Sequence, residues 1–475
     1  MNRRSFQLFV IALGFGATTC LAQEFSPITR QFISVKSDTL ALTHAMVVDG
    51  TGGAIKNDQT ILIINGRIAA MTSSAMANIP ASAKQINCTG KTIIPGMIMM
   101  HEHLFYGESI PPQYHGLAMP VSFPRLYLAG GVTTMRTAGT VSPQTDINTR
   151  DDINKGNFPG PDIDVTGPYI ERAGLPIPEM LFIKTPEEAE KEVEYWIGMG
   201  CTSFKVYMDI TKEDLQKVVK LAHKKNLKVT GHICSVTYRE AADAGIDNLE
   251  HGFIPSSDFM KNKKEGVCNP SLQSASVRAL DVNSAEMKEL MAYLIKKNVA
   301  LTSTLPVFEP VTNRDMFPGD GGDAVTPAIK EMVEKRASSR IGKDTSDLAL
   351  FKKEMAWEKM FVEMGGRLMA GVDPTGAGRV IPGYADRHVP ELLVEAGFSF
   401  EQAIKICSLN AAEYLGREKE TGSIEVGKKA DLVLINGNPL ANIKDMRNTE
   451  TVFKNGVGFD SKKLFESMKG KVGLH

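Results

Sequence analysis

The sequence lacks the features that mark several other classes of protein. Its 42 glycines and 24 prolines are spread along 475 residues, which excludes a collagen-like repeat and a disordered low-complexity chain. It has no run of basic residues and a formal net charge of −1, so we expect no nucleic-acid partner. The length allows one large barrel with a smaller module, or two to four ordinary domains.

Long hydrophobic runs are missing after residue 22. Arg3 and Arg4 precede an apolar stretch over residues 8–17 that is too short to span a bilayer, and small residues follow at 20–22. This pattern predicts a cleaved signal peptide over residues 1–22 and a secreted or periplasmic protein without a membrane span. The alternative is a retained anchor, or lipidation at Cys20.

Cysteine is scarce. The chain has six cysteines, of which five follow residue 22, and their odd number and irregular spacing predict neither a disulfide framework nor a C-x-x-C zinc site. We therefore expect a fold without disulfides, in which any metal is bound by other residue types.

Two strand-rich ends flank a region of alternating strands and helices. Residues 23–91 contain strand patterns with a hairpin turn at Asn65-Gly66, and strand character returns over residues 416–475. Between them, residues 92–415 alternate short apolar strands with helices that have capping residues such as Thr211. This alternation predicts parallel βα units, with both chain ends paired into one β-module beside them.

Four histidines occur where predicted strands end, and parallel βα units of this kind can close into a barrel. His101 and His103 follow an apolar run, and alternate residues of a strand project to one side, so the two imidazoles can bind one metal. A pair of surface histidines would look the same in the sequence. However, His232 and His251 also end predicted strands, at the barrel face that carries active sites.

A lysine and an aspartate complete this pattern. Lys205 lies inside an apolar strand, where its charge is costly unless it forms an ion pair or reacts with CO₂ to give a carbamate that could bridge two cations. Asp373 ends the strand over residues 368–372 at the same face. Together the six residues, on strands 1, 4, 5, 6 and 8, predict a binuclear metal site.

The motifs at these positions belong to a larger set that covers most of the chain. The set comprises residues 48–53, 94–98 leading to His101-Glu102-His103, 129–136, 204–207, 231–232, 249–252, 370–373, 392–397 and 422–434. On these motifs the sequence resembles the metal-dependent amidohydrolase superfamily, within it the imidazolonepropionase-like proteins and secreted prolidases. It departs from many relatives at Met99 and Thr137, where they carry acids close to the metal ligands.

The resemblance implies a fold and a ligand set. The fold is an α/β (β/α)8 TIM-type barrel over residues 92–415, with a small composite β-sandwich from residues 23–91 and 416–475. One divalent metal ion, zinc, would bind His101, His103 and Asp373, and a second would bind His232 and His251. Carbamylated Lys205 and a hydroxide would bridge the two ions, and Asp373 would move a proton from that hydroxide to the leaving nitrogen.

The resemblance also implies a reaction, the hydrolysis of a carbon–nitrogen amide bond, including peptide bonds. The expected partner is a small-molecule substrate, either a dipeptide of the Xaa-Pro type or an N-acyl amino acid. The alternatives are a cyclic amide hydrolase like imidazolonepropionase, a lactonase or phosphotriesterase, a mononuclear deaminase that would not need Lys205, and a scaffold without activity, which would be expected to have lost ligands. The sequence leaves a homo-oligomer open.

Three residues near the ligands are candidates for binding a substrate carboxylate. Tyr207 lies two residues after Lys205, and Tyr238 and Arg239 lie on the segment that leaves His232. The alternative is that they are an aromatic residue at the barrel rim and a solvated helix arginine.

Overall fold

The structure is a computed structural model that describes residues 24–110, 113–172, 174–175, 177–312, 314, 317–340, 346–375 and 379–473. The predicted signal peptide, residues 1–22, lies outside these ranges. Within them, no helix combines the length and the apolar character that a membrane crossing needs.

The described strands are short, and most helices lie in the central region. The strands are β1 (Ile33–Val35), β2 (Thr39–Val47), β3 (Lys56–Ile64), β4 (Arg67–Ser73), β5 (Lys84–Asn87), β6 (Thr92–Pro95), β7 (Met97–Glu102), β8 (Phe105–Ile110), β9 (Gln113–Ala118), β10 (Val132–Thr137), β11 (Asp162–Asp164), β12 (Thr166–Arg172), β13 (Leu181–Ile183), β14 (Ser203–Val206), β15 (Lys228–Gly231), β16 (Asn248–Glu250), β17 (Ala300–Ser303), β18 (Leu368–Ala370), β19 (Leu432–Ile435), β20 (Thr449–Lys454) and β21 (Val457–Asp460). The α-helices are α1 (Pro27–Arg30), α2 (Ser122–Ala129), α3 (Pro143–Asn154), α4 (Pro186–Met199), α5 (Lys212–Lys224), α6 (Tyr238–Ala244), α7 (Pro270–Ala279), α8 (Ala285–Lys296), α9 (Leu305–Phe308), α10 (Pro327–Arg340), α11 (Ser346–Glu363), α12 (Tyr384–Glu395), α13 (Phe400–Ile406), α14 (Leu409–Tyr414) and α15 (Ser461–Glu466).

Strands from both chain ends form one sheet of nine strands. Its order is β1-β21-β20-β19-β6-β2-β3-β4, with β5 beside β2, and β19 pairs antiparallel with β6. The predicted hairpin turn joins β3 to β4, with Asn65 at φ 49° and Gly66 at φ 77°. The composite module is confirmed, whereas its description as a two-layer sandwich stays a prediction. Because β6 belongs to this sheet, the first strand of the central region is β7.

The central region contains two parallel sheets. Their orders are β11-β10-β7 and β13-β12-β14-β15-β16-β17-β18. The amide of Asp373, just after β18, donates to the carbonyl oxygen of His101 in β7 at 3.0 Å, which joins the last strand to the first. The arrangement is a TIM-barrel-like α/β fold, although the described strands do not form one continuous closed ladder. The short strands that the sequence predicts within residues 92–415 are present, among them β10, β14, β15, β16, β17 and β18.

Helix starts follow their capping residues. Thr211 and Asp214 form a reciprocal capping box at the start of α5, where the Thr211 hydroxyl accepts from the Asp214 amide at 3.1 Å. Each such cap satisfies backbone donors that the first helical turn leaves without partners.

The expectation of a fold without disulfides is wrong. Cys234 and Cys268 are joined by a disulfide, with their Cα atoms 5.0 Å apart. The bond connects the loop after β15 to the segment before α7, 34 residues later in the sequence. Because tertiary folding alone brings these two loops together, their spacing carried no signal.

Candidate metal centre

The six predicted ligands lie within or directly after strands of the two parallel sheets. His101 lies in β7, Lys205 lies in β14, and His103, His232, His251 and Asp373 follow β7, β15, β16 and β18. The ring centroid of His251 is 4.4 Å from that of His101 and 4.6 Å from that of His232. The fold thus gathers side chains that lie far apart in the sequence.

His101, His103 and Asp373 fit a divalent metal ion. One ligand atom from each lies within 4.8 Å of the others. Asp373 Oδ1 is 3.3 Å from His103 Nε2 and 3.6 Å from His101 Nε2. Ligand atoms at tetrahedral positions around zinc lie about 3.4 Å apart, since each is about 2.1 Å from the ion. The separations and the nitrogen and oxygen donors therefore suit zinc.

Hydrogen bonds orient three of the imidazoles. In each case the ring Nδ1 lies within hydrogen-bonding distance of an oxygen atom: Glu250 Oε2 at 2.7 Å for His101, the Gly139 carbonyl at 3.0 Å for His103, and Thr304 Oγ1 at 2.8 Å for His251. Such contacts fix ring orientation and raise the basicity of the other nitrogen. For His101 and His103, that other nitrogen faces Asp373.

The backbone at the site adopts uncommon conformations. His251 and Asp373 have φ angles of 65° and 51°, in the left-handed region that few residues other than glycine occupy. Gly371 is required for a different reason, because a Cβ there would lie 2.5 Å from the backbone nitrogen of His101. The close approach of the first and last strands therefore depends on this glycine.

Burial controls the charges at the site. Burial and the nearby charge of Lys205 lower the pKa of His101 to about 4 and that of His232 to about 3, so both rings are neutral, as metal ligands must be. Burial also lowers the pKa of Lys205 to about 8, against the carboxylates of Glu250 and Asp373, which raise it. Lys205 therefore interacts electrostatically with two carboxylates, and both the ion pair and the carbamate stay predictions.

A profile of the amidohydrolase family matches residues 92–458, more than half of the chain. The chain belongs to the amidohydrolase family. A dihydroorotase from Elusimicrobium minutum is 23% identical over 418 residues, which cover 84% of this chain and 88% of the relative. An imidazolonepropionase from Psychromonas ingrahamii is 32% identical over 96 residues, but the match spans 19% of this chain and only 24% of that relative.

Solved structures support the fold of this amidohydrolase. A putative prolidase from Bifidobacterium longum has a TM-score of 0.63 and 24% identity, and the match covers 91% of this chain and 99% of that one. A Xaa-Pro dipeptidase with bound methionine in its active site has a TM-score of 0.64 and 20% identity, with 89% and 100% covered. Membership of the amidohydrolase family supports a hydrolase that acts on carbon–nitrogen bonds.

Of the three residues predicted to bind the substrate, the structure brings one to the metal centre. The Tyr207 ring centroid is 5.0 Å from that of His232. Tyr238 is fully buried at the start of α6, and its hydroxyl donates to the Gly252 carbonyl at 2.9 Å. The Arg239 guanidinium lies 5.1 Å from the ring centroid of Tyr293, against a surface cleft that none of the metal-facing residues lines. The structure thus brings neither side chain to the three residues that fit a metal ion, and a substrate role for Tyr238 and Arg239 stays a prediction.

A buried ion pair that the sequence did not reveal lies behind the candidate metal centre. Arg136 Nη2 donates to Glu250 Oε1 at 2.6 Å and to the Met100 carbonyl oxygen at 2.6 Å, and both charged side chains are inaccessible to solvent. Burial favours protonated Glu250, but Arg136 and His101 outweigh it and hold the pKa of this carboxyl well below its usual range. The sequence did contain a signal for this pair, because Arg136 and Glu250 carry opposite charges inside apolar strands. A buried charge is tolerated there only when it is paired.

Glu250→Gln is expected to weaken metal binding by about 10–100-fold, the usual effect of removing a residue that orients a ligand. The amide oxygen of the introduced glutamine could still accept from Arg136, but the side chain could not also give His101 the anionic acceptor that fixes its ring. Competition with a chromophoric chelator measures the affinity of the purified, folded protein for zinc. The control is Glu213→Gln on the exposed face of α5. Equal affinities for the two variants would remove Glu250 from this positioning role.

Proposed function

We propose that this amidohydrolase hydrolyses the amide bond of a dipeptide or an N-acyl amino acid. It would use two divalent metal ions for this reaction, and zinc is the metal that we propose. The convergence of the six predicted ligands on one face of the barrel carries the proposal. Additional support comes from structural neighbours described as a Xaa-Pro dipeptidase and a putative prolidase.

Two groups of ligands would hold the ions. His101, His103 and Asp373 would bind the first, and His232 and His251 would bind the second. Lys205, as a carbamate, would contribute an oxygen to each. To form the carbamate, the neutral Lys205 nitrogen bonds to the carbon of CO₂ and loses a proton, which leaves an anionic carboxylate. When bound, the ions would supply Lewis acidity to the scissile carbonyl and to the attacking water.

Asp373 would move the proton in this reaction. Its Oδ1 accepts a hydrogen bond from Thr375 Oγ1 at 2.9 Å, which fixes the orientation of the carboxylate. Asp373 would take the proton of the attacking water and deliver it to the leaving nitrogen, which is a general base followed by a general acid role. The imidazoles, held by Glu250, Gly139 and Thr304, keep the ligand set in place during this transfer.

A substrate panel tests this function. We expect metal-loaded protein to hydrolyse Xaa-Pro dipeptides or N-acyl amino acids with kcat/KM at least about 10-fold above that for lactones and phosphotriesters. Chelator-treated protein is the control. Cyclic amides form the second candidate class, because relatives in sequence are described as a dihydroorotase and imidazolonepropionases. Preferential cleavage of a lactone or phosphotriester, or release of ammonia from a ring, would contradict the proposal.

We also propose that the mature protein is secreted or periplasmic. The basic and apolar N-terminal pattern supports this location, and so does the disulfide between Cys234 and Cys268, since disulfides persist mainly in oxidising compartments. N-terminal sequencing of protein recovered outside the cytoplasm should begin near residue 23. Recovery of an uncleaved chain in the cytoplasm would contradict it.

A further inference from the structure

A cavity of about 220 Å³ lies beside the metal centre. Its walls include Phe105, Val141, Tyr169, Ile177, Met180 and Tyr207. Phe105, Tyr169 and Met180 are each at most 7% exposed, and they form a separate apolar cluster. The cavity therefore has a packed wall rather than a loose surface.

The cavity borders the ligands of both proposed metal positions. The Phe105 ring centroid is 4.7 Å from that of His103, while Tyr207 contacts His232 on the other side. Thr375, which also lines the cavity, donates to Asp373. A substrate with its amide at the metals would thus place a neighbouring side chain in this space.

The chemistry of the wall selects for an aromatic group. Tyr169 and Tyr207 are arranged edge to face with their ring centroids 5.0 Å apart, and Met180 adds a polarisable sulfur, which interacts favourably with aromatic rings. None of the described lining residues is charged. An ionised side chain would lose its hydration there without gaining a counter-charge.

The size of the cavity also fits an aromatic ring. An apolar cavity of about 150 Å³ is large enough to bind benzene, so this one can take a phenyl or phenol group. Gly116 helps to preserve the space, since a Cβ at that position would lie 2.8 Å from Val141 Cγ2 and push that side chain away.

We propose that this cavity is the specificity pocket for one aromatic side chain adjacent to the scissile bond. The inference rests on the proposed amide hydrolysis and narrows its substrate class to amides of the phenylalanine or tyrosine type. Two substrate pairs test the two sides of the scissile bond. N-acetyl-phenylalanine and N-acetyl-alanine differ on its nitrogen side, and Phe-Pro and Ala-Pro differ on its carbonyl side.

The first measurement is the ratio of kcat/KM within each pair for zinc-loaded enzyme. We expect the aromatic member to be preferred by about 10–100-fold in at least one pair, since a ring removes far more apolar surface from water than a methyl group does. Val141→Phe fills the cavity and should reduce that ratio to near one. Val426→Phe, the same exchange at a residue 65% exposed elsewhere, should leave it unchanged.

A second measurement separates this inference from the proposed function. Calorimetry with phenylalanine and alanine, the hydrolysis products that the enzyme cannot consume, gives their Kd for the same three proteins. If amides are hydrolysed without aromatic preference, or if Val141→Phe keeps the full preference, the pocket assignment is overturned while the function stands. If no amide is hydrolysed, the proposed function is wrong, and the Kd values alone test the pocket. Tighter binding of the aromatic ligand that is lost in Val141→Phe would support the pocket, and equal binding of the two ligands would overturn it.

Discussion

Lys205→Ala is expected to lower kcat/KM for amide hydrolysis by at least about 100-fold and to leave no more than one tightly bound metal per chain. The reason is that alanine removes the group proposed to bridge the two ion positions. Small carboxylic acids such as acetate and propionate should restore part of the activity, because they can replace the carbamate. Lys220→Ala on the exposed face of α5 is the control and should behave as wild type.

Mass spectrometry under native conditions gives a direct readout for the same residue. Beyond the mass of the mature chain and its bound metal ions, wild-type protein should carry about 44 Da more, which corresponds to one CO₂. The Lys205→Ala variant should lack this increment. Near-normal turnover of Lys205→Ala would contradict the bridging role and would favour the mononuclear alternative.

Asp373→Asn is expected to slow the chemical step by about 10²–10⁴-fold, the usual contribution of a positioned acid–base group. Asparagine can still offer a carbonyl oxygen to a metal, but it cannot accept the proton of the attacking water. KM should change much less than kcat. Metal content and kcat must be measured side by side, with Asp209→Asn, a partly exposed aspartate at a different strand end, as the control.

The outcome is decided by comparing those two quantities. Full metal content with a large loss of kcat supports Asp373 as the proton carrier. Full metal content with full activity would exclude it. The hydrogen bond from Thr375 to Asp373 predicts that removing that hydroxyl has a smaller effect in the same direction.

The positions of the proposed metal ligands could be predicted because their signals are local. Alternation along β7 places His101 and His103 on one side, and the known geometry of parallel barrels brings the strand ends that carry His232, His251 and Asp373 to one face. Lys205 was identifiable because a lysine inside an apolar strand demands an explanation.

The features that sequence reasoning missed depend on tertiary contacts. Cys234 and Cys268 approach only when two loops meet, and Glu250 reaches both Arg136 and His101 only across the interior of the barrel. Tyr238 was placed near the site because it closely follows His232 in sequence, but the start of α6 turns it into the core. The number of residues between two positions does not determine where their side chains point or which residues they contact.

Reconstitution of metal-free protein tests the central claim most directly. Chelator-treated protein is titrated with zinc in the presence of bicarbonate, and amide hydrolysis is measured against the number of equivalents bound per chain. The proposed centre predicts no activity without metal and a maximum at two equivalents, with Lys205→Ala failing to reach it. Full activity at one equivalent, or activity in metal-free protein, would contradict a binuclear site.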